Sequence, residues 1–391
     1  MVLADEWKPI ALISLVMLPV GLCNVGDSIL YVADVYAVVF GSYAFFKWLL
    51  GRMDFLRLLL LAVAVTATGA ELGLDLYNNI GFTWLIRGFA RNTVFLAVII
   101  ASVALISRFG VGLWLVVVTS AYVSVAFWGI VQEYNLGYDV GYFLKFRWGG
   151  YLAIPILYLF RKNYYWQALF LLAGAATLWL FDVRSFSAIW FSAAVLCLMC
   201  KFSIAWRRFT VIIGLACFVW VAMVLVNPTH FVEARTEDRQ EASNSQRMHM
   251  AQDTWERYLE RTITGYGSWQ HAATYQDDYL FLTSKNTGVH SWVLQLAFEY
   301  GVLGIIAGIA LLSILCYSVY IILLDRSVSR IIFSDALVSP AMLFLLLTEG
   351  VYVLGCSPFA GVGRIFEGFA VGVALWVIKL KTQRTTITLP N

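Results

Sequence analysis

Residues Trp292–Leu324 read WVLQLAFEYGVLGIIAGIALLSILCYSVYIILL, a run of 33 in which Glu299 is the only charged side chain. A bilayer-spanning helix needs about 20 mostly apolar residues. This run therefore holds one span and leaves room for an interfacial helix before it. Similar apolar stretches, separated by short polar breaks, recur along the chain at 9–25, 29–49, 55–72, 92–107, 111–131, 149–161, 165–182, 186–201, 209–226, 334–355 and 361–379. The reading is an all-α polytopic membrane protein of about twelve transmembrane helices.

Composition agrees. Of 391 residues, 61% are hydrophobic and 13% are charged, whereas a soluble surface needs roughly a quarter of its residues charged. A net charge of +3 is too small to suggest a nucleic-acid partner. The acidic start Met1–Glu6 has no basic segment ahead of its first apolar stretch, which is therefore expected to stay as a span. Six cysteines, at 23, 197, 200, 217, 316 and 356, lie in apolar segments without paired-ligand spacing and read as buried thiols.

Charge placement gives an orientation. With both ends in the cytoplasm, every cytoplasmic link carries Lys or Arg: Lys47, Arg52 and Arg57; Arg108; Arg161 and Lys162; Lys201, Arg207 and Arg208; Arg326 and Arg330; then Lys379, Lys381 and Arg384. That is the positive-inside pattern. Acids gather on the other face, including Glu71, Asp75, Glu133, Asp139 and Asp182. The chain divides accordingly into spans one to nine (1–226), an outward loop (227–289), and spans ten to twelve with a cytoplasmic tail (290–391).

The loop holds nine Asp/Glu, six Lys/Arg and three His. Residues 245–261 read as a helix capped by Asn244 or Ser245, with Met248, Ala251, Trp255 and Leu259 forming one apolar stripe expected to lie on the membrane domain. Arg247 falls near its first turn. Gly265-Tyr266-Gly267 permits a tight turn where a polar ligand can approach the backbone. His290 stands where the polar loop meets an apolar helix. Other cations sit near span ends: Arg184 after Asp182, Lys145 and Arg147, Arg87 and Arg91, and Arg364. Charged groups at membrane depth line cavities or snorkel to headgroups. Outward arginines around a histidine suit an anionic, lipid-linked ligand, because guanidinium forks bind phosphate oxygens in pairs.

These motifs resemble the O-antigen ligase/polymerase superfamily. The resemblance rests on Ser245-Gln246-Arg247 through Trp255, Gly265-Tyr266-Gly267, and His290-Ser291-x-x-Leu294-Gln295 followed by Glu299-x-Gly301-x-x-Gly304. Val183-Arg184-Ser185 is similar to the Ser-Arg motif of that superfamily. Ser291 stands where the family usually has Asn, and Val183 where it usually has Ser.

The resemblance implies inverting glycosyl transfer from a glycan on undecaprenyl diphosphate to lipid A–core, on the periplasmic face of the bacterial inner membrane. It implies His290 as base and Arg247 and Arg184 as clamps on the diphosphate. Lys145, Arg147, Arg87 and Arg91 are weaker candidates for lipid-phosphate contact, and membrane lipids are further partners. No metal or cofactor is expected. A metal reading would rest on Asp277-Asp278, since the first outward loop offers only Asp27. The polymerase of the same family is the alternative function. A transporter would show two related halves, and no internal repeat is found.

Overall fold

The computed structural model describes residues 21–25, 28–31, 55–135, 149–180, 184–199, 250–268, 291–334, 338–356 and 363–387. Two strands, β1 (Gly21–Val25) and β2 (Ser28–Tyr31), pair antiparallel with Val25 opposite Ser28. Eleven helices follow among the described residues. They are α1 (Phe55–Tyr77), α2 (Phe82–Phe109), α3 (Val111–Asn135), α4 (Gly149–Leu159), α5 (Tyr164–Leu180), α6 (Arg184–Met199) and α7 (250–260). After residue 290 come α8 (Trp292–Leu324), α9 (Arg326–Ser334), α10 (Pro340–Cys356) and α11 (Gly363–Ile387). Within the described residues α2 and α8 are long and apolar enough to cross a bilayer, with shorter apolar helices in α3, α6 and α10.

The apolar runs at 55–72, 111–131, 149–161, 165–182, 186–201 and 361–379 all appear as helices, with ends shifted by a few residues. Four expectations need correction. The strand pair overlaps the end of the run at 9–25 and the start of that at 29–49. Helix α2 begins at Phe82 rather than at 92, because its charged first third is stabilised by burial and pairing of Arg91 rather than by solvent. The run at 334–355 begins as a helix only at Pro340; a separate short helix, α9, precedes it. Cys316 is exposed, whereas Cys197 is buried as expected. The run at 209–226 lies outside the described residues.

The core is formed by α2, α3, α8, α10 and α11, with α4, α5 and α6 packed beside it. Helices in a bilayer gain little from hydrophobicity alone and associate through close backbone approach and polar contacts. Both devices are present. A Cβ on Gly372 would lie 2.3 Å from Ser102 Cβ, and one on Gly368 would lie 2.7 Å from Val98 Cγ1, so α11 and α2 touch along small residues. Ser318 Oγ donates to Ala374 O at 3.0 Å, joining α8 to α11. Gln167 Nε2 donates to Leu157 O (3.0 Å) and to Ser339 Oγ (2.8 Å), tying α5 to α4 and to the start of α10. Large apolar side chains such as Leu169, Trp179, Phe191 and Ile306 are exposed, as a lipid-facing surface requires.

Candidate functional site

Helix α7 ends at residue 260, and the chain turns sharply through 261–268. Its buried side is Met250, Thr254 and Tyr258, whereas Trp255 is 46% and Leu259 55% exposed. The stripe expected to cover the membrane domain is therefore turned outward, and the face next to it is buried. Beside a bilayer an apolar stripe can face either lipid or protein, so hydropathy does not choose between the two. Residues 245–249, including Arg247, lie outside the described residues.

Both glycines of Gly265-Tyr266-Gly267 have positive φ, 62° and 90°. Here the close approach that glycine allows is made by the chain itself. A Cβ on Gly265 would sit 2.4 Å from Glu299 O, and one on Gly267 would sit 2.5 Å from the Ile80 side chain. The turn docks into a break in α8, where Gly301 has φ 63° and ψ −142°. In an unbroken helix the Phe298 carbonyl would accept from the N–H of Val302. Instead Val302 N donates to Thr262 O at 2.7 Å, and the Phe298 carbonyl accepts from Tyr266 N at 2.9 Å. Gly267 N likewise donates to Glu299 O at 2.8 Å. The Tyr266 ring stacks on Phe298 with centroids 4.6 Å apart. Its hydroxyl donates to Glu260 at 2.7 Å; burial, then Glu260, raises the pKa of this phenol.

The break folds residues 292–300 back along the rest of α8. A Cβ on Gly304 would meet Leu296 O, and one on Gly308 would lie 3.2 Å from Val293 Cα. In a continuous helix Val293 and Gly308 would be about 22 Å apart. The spacing Gly301-x-x-Gly304-x-x-x-Gly308 thus has a plain cause: a positive φ at the bend, then two sites without side chains where the segments touch. A separate helical segment does precede the span, and it runs back along the span itself. Helix α2 agrees in direction, since Arg91 meets Glu299 and Phe95, one turn further along α2, meets Trp292 (centroids 6.2 Å apart). Ser291 therefore lies up to about 15 Å further along both spans than Gly301 does. Its side chain caps the segment, accepting from Leu294 N at 3.3 Å. Asn, the usual family residue there, is an equally good N-cap.

A buried polar network holds this assembly. Arg91, 2% exposed, donates from Nη1 to Glu299 Oε1 at 3.1 Å and from Nη2 to Oε2. Gln295 Nε2 also donates to Glu299 Oε1, at 2.8 Å. The Tyr300 hydroxyl is the hub: it accepts from Arg91 Nη2 (3.1 Å), donates to Glu71 Oε1 (3.0 Å), and lies 2.6 Å from Ser268 Oγ. Ser268 N and Oγ donate to the two carboxylate oxygens of Asp75, at 2.7 and 2.6 Å. A Cβ on Gly88 would lie 2.1 Å from Ser268 Oγ, so α2 supplies a bare wall there. At the rim, Asn78 Nδ2 donates to Thr264 O and Arg261 Nη1 to Asn78 Oδ1, both at 3.4 Å. The α1–α2 hairpin is thus a receptor for the turn.

Gly265, Gly267 and Arg91 are the sequence candidates whose surroundings are described. Arg91, a candidate for lipid phosphate, has protein partners at both terminal nitrogens. Arg184 heads α6, which is anchored by Ser187 Oγ donating to Ala175 O (2.7 Å) and by Trp190 packed over Gly174. The side chains of Arg184, Arg87 and Arg364 lie outside the described residues, as do His290, Arg247, Lys145, Arg147, Asp277 and Asp278 entirely. Sequence reading missed Glu71, Asp75, Ser268, Gln295 and Tyr300 as members of one network. The acidic pair at i and i+4 near the end of α1 is the one local signal for them.

The family model described as O-Antigen ligase matches residues 168–309. The match takes in most of α5, all of α6, α7, the glycine turn and the folded-back part of α8, and it omits α1 and α2. No curated protein matches the chain.

Proposed function

Since the chain belongs to the O-antigen ligase superfamily, we propose that it transfers an O-antigen polysaccharide from undecaprenyl diphosphate to lipid A–core on the periplasmic face of the inner membrane. The observation that carries this reading is the family match over the glycine turn and the helix that His290 precedes. The acceptor hydroxyl attacks the anomeric carbon from the side opposite the diphosphate. The bond to phosphate breaks, undecaprenyl diphosphate leaves with the electron pair, and the anomeric configuration inverts. His290 takes the acceptor proton, since an imidazole titrates near neutral pH. Arg247 and Arg184 neutralise the charge that develops on the leaving diphosphate, the electrostatic task that a metal performs elsewhere. The weaker cationic candidates Lys145, Arg147 and Arg87 are assigned to carrier or acceptor phosphates.

Deleting the gene and examining the lipopolysaccharide tests this directly. Loss of a ligase leaves full-length polymer on the carrier and bare core. Core bearing single repeats would identify a polymerase instead, and an unchanged ladder would remove both. Within the ligase reading, His290→Ala or Arg247→Ala abolishes transfer in protein that is still inserted and folded, while Asp277→Ala is tolerated. Substantial transfer by either of the first two variants would undo the site assignment.

A further inference from the structure

We infer that Arg91 is a positioning residue for the transfer reaction, holding residues 292–300 folded back against the α8 span and so fixing the depth at which the chain presents His290. The inference rests on the reading of His290 as the base. Arg91 lies outside residues 168–309, the part matched by the family. Three observations support it.

The first is geometric. The folded-back segment is only nine residues long and leaves the span through one glycine, Gly301, at positive φ. A glycine hinge has no steric preference of its own for this bend, so the fold-back must be held by contacts. At its far end the contacts are apolar: Trp292 on Phe95, and Val293 against Gly308. At the hinge end the specific contact is the paired bond from Arg91 to Glu299, reinforced by Arg91 Nη2 to Tyr300 OH at 3.1 Å.

The second is energetic. Glu299 is fully buried and Arg91 is 2% exposed. Buried charges of this kind are retained when fully paired and are strongly destabilising when one partner is removed. Any movement that carries residues 292–300 away from α2 would separate the two charges, so the pair opposes that movement more than an apolar contact of equal area would. The third is connectivity. Through the Tyr300 hydroxyl the same guanidinium reaches Ser268 and Glu71, and through Ser268 it reaches Asp75. One residue of α2 therefore ties the end of the glycine turn, at Ser268, to the hinge end of the folded-back segment, at Glu299 and Tyr300. In sequence, the groups proposed to react flank the described parts: Arg247 stands three residues before α7, and His290 directly before Ser291.

Misplacement of a reacting group by about 1 Å costs on the order of 100-fold in rate while leaving binding through remote contacts intact. Full-length protein is tested in liposomes of phosphatidylethanolamine and phosphatidylglycerol, with lipid-linked glycan as donor and lipid A–core as acceptor, both extracted from cells lacking the gene. Arg91→Gln is expected to lower kcat by about 100-fold with the donor KM within about threefold; Arg91→Lys recovers part of the loss. Loss confined to KM, or an unchanged kcat, would overturn the inference.

A second measurement does not use activity. In a background without the six native cysteines, Val293→Cys and Gly308→Cys place two thiols at facing positions, and removing the branched Val293 side chain relieves the contacts of its Cγ1 and Cγ2, at 3.1 and 3.2 Å, with a Cβ on residue 308. The bond should form readily with Arg91 present and about tenfold more slowly in Arg91→Gln, since the Cβ separation it requires is narrow. Equal rates would also overturn the inference. If Arg91→Gln does not fold, the double variant Arg91→Gln/Glu299→Gln removes both charges together and should fold while keeping the low kcat; wild-type kcat in the double variant would count against the proposal. Should His290→Ala transfer normally, the reading of the base fails, whereas the cross-linking contrast still decides whether Arg91 holds the segment.

Discussion

The two ends of α8 are finished in opposite ways. At the N-terminal end the helix is bent at Gly301, and its polar partners are buried and come from residues about 200 positions away, Arg91 and Glu71. At the C-terminal end Leu324 is followed by Asp325, whose carboxylate accepts from Ser327 N (2.9 Å), Ser327 Oγ (2.7 Å) and Val328 N (3.1 Å) to start α9. Lys381 approaches Asp325 at 3.6 Å, and both side chains are partly solvated. The second end is a local cap that a few neighbouring residues can build. The first is a tertiary construction whose parts have no stability apart from one another. Disturbance should therefore be costly at the first end and mild at the second.

The largest effect is expected from Gly301→Val. A Cβ there would lie 2.3 Å from Ile263 O, and φ is 63°. Strain and overpacking together should cost about 3 kcal/mol or more, read as a fall in thermal stability of the detergent-purified protein. A near-native melting temperature would mean that the turn does not sit in the bend. Next comes Ser268→Ala, which removes the hydroxyl shared by Asp75 and Tyr300 and leaves buried acceptors unsatisfied. A loss of about 1–3 kcal/mol is expected, and Asp75→Ala paired with it should be clearly less than additive. Full additivity would break the claim that the two act in one network.

Asp325→Ala should be the mildest, about 1 kcal/mol for a lost cap. Its pH behaviour sharpens the contrast. Burial alone would raise the pKa of Asp325, but the Ser327 hydroxyl, the N–H groups of Val328 and Ser327, and Lys381 together hold it below the ordinary carboxylate range. A depressed carboxylate pKa gives stability that is present above the unfolded value of about 4 and is lost as pH falls through the folded one. Protection of α9 amides from exchange should thus decline only in strong acid in the wild type, and should show no such decline in Asp325→Ala. The opposite order, an acid-labile α9 in the variant alone, would exclude Asp325 as the cap.

Much of this was legible in sequence for a local reason. Helix formation in an apolar environment depends on runs of residues, so the elements from α1 to α6, α8 and α11 could be recognised from their own composition. Glycine pairs mark turns because only they adopt positive φ without cost, and both glycines of Gly265-Tyr266-Gly267 do so. The extra length of Trp292–Leu324 announced a short helix before the span, and a family motif ran through the same residues.

What a run of residues does not encode is which distant group faces it. Glu71 and Asp75 read in the sequence only as acids of one face, and the fold makes them buried acceptors, Asp75 for Ser268 and Glu71 for the Tyr300 hydroxyl. Trp255 and Leu259 looked like a contact stripe, and the face beside them is the one that packs. Sequence alone determined that this chain is apolar enough for a membrane, where its helices lie, and which family its loop and following helix resemble. Tertiary structure alone decided that the helix after His290 folds back on its own span, and that Arg91 meets Glu299. The reason is physical: hydropathy and backbone preference are properties of neighbouring residues, whereas a buried charge is tolerable only once the fold has delivered its partner.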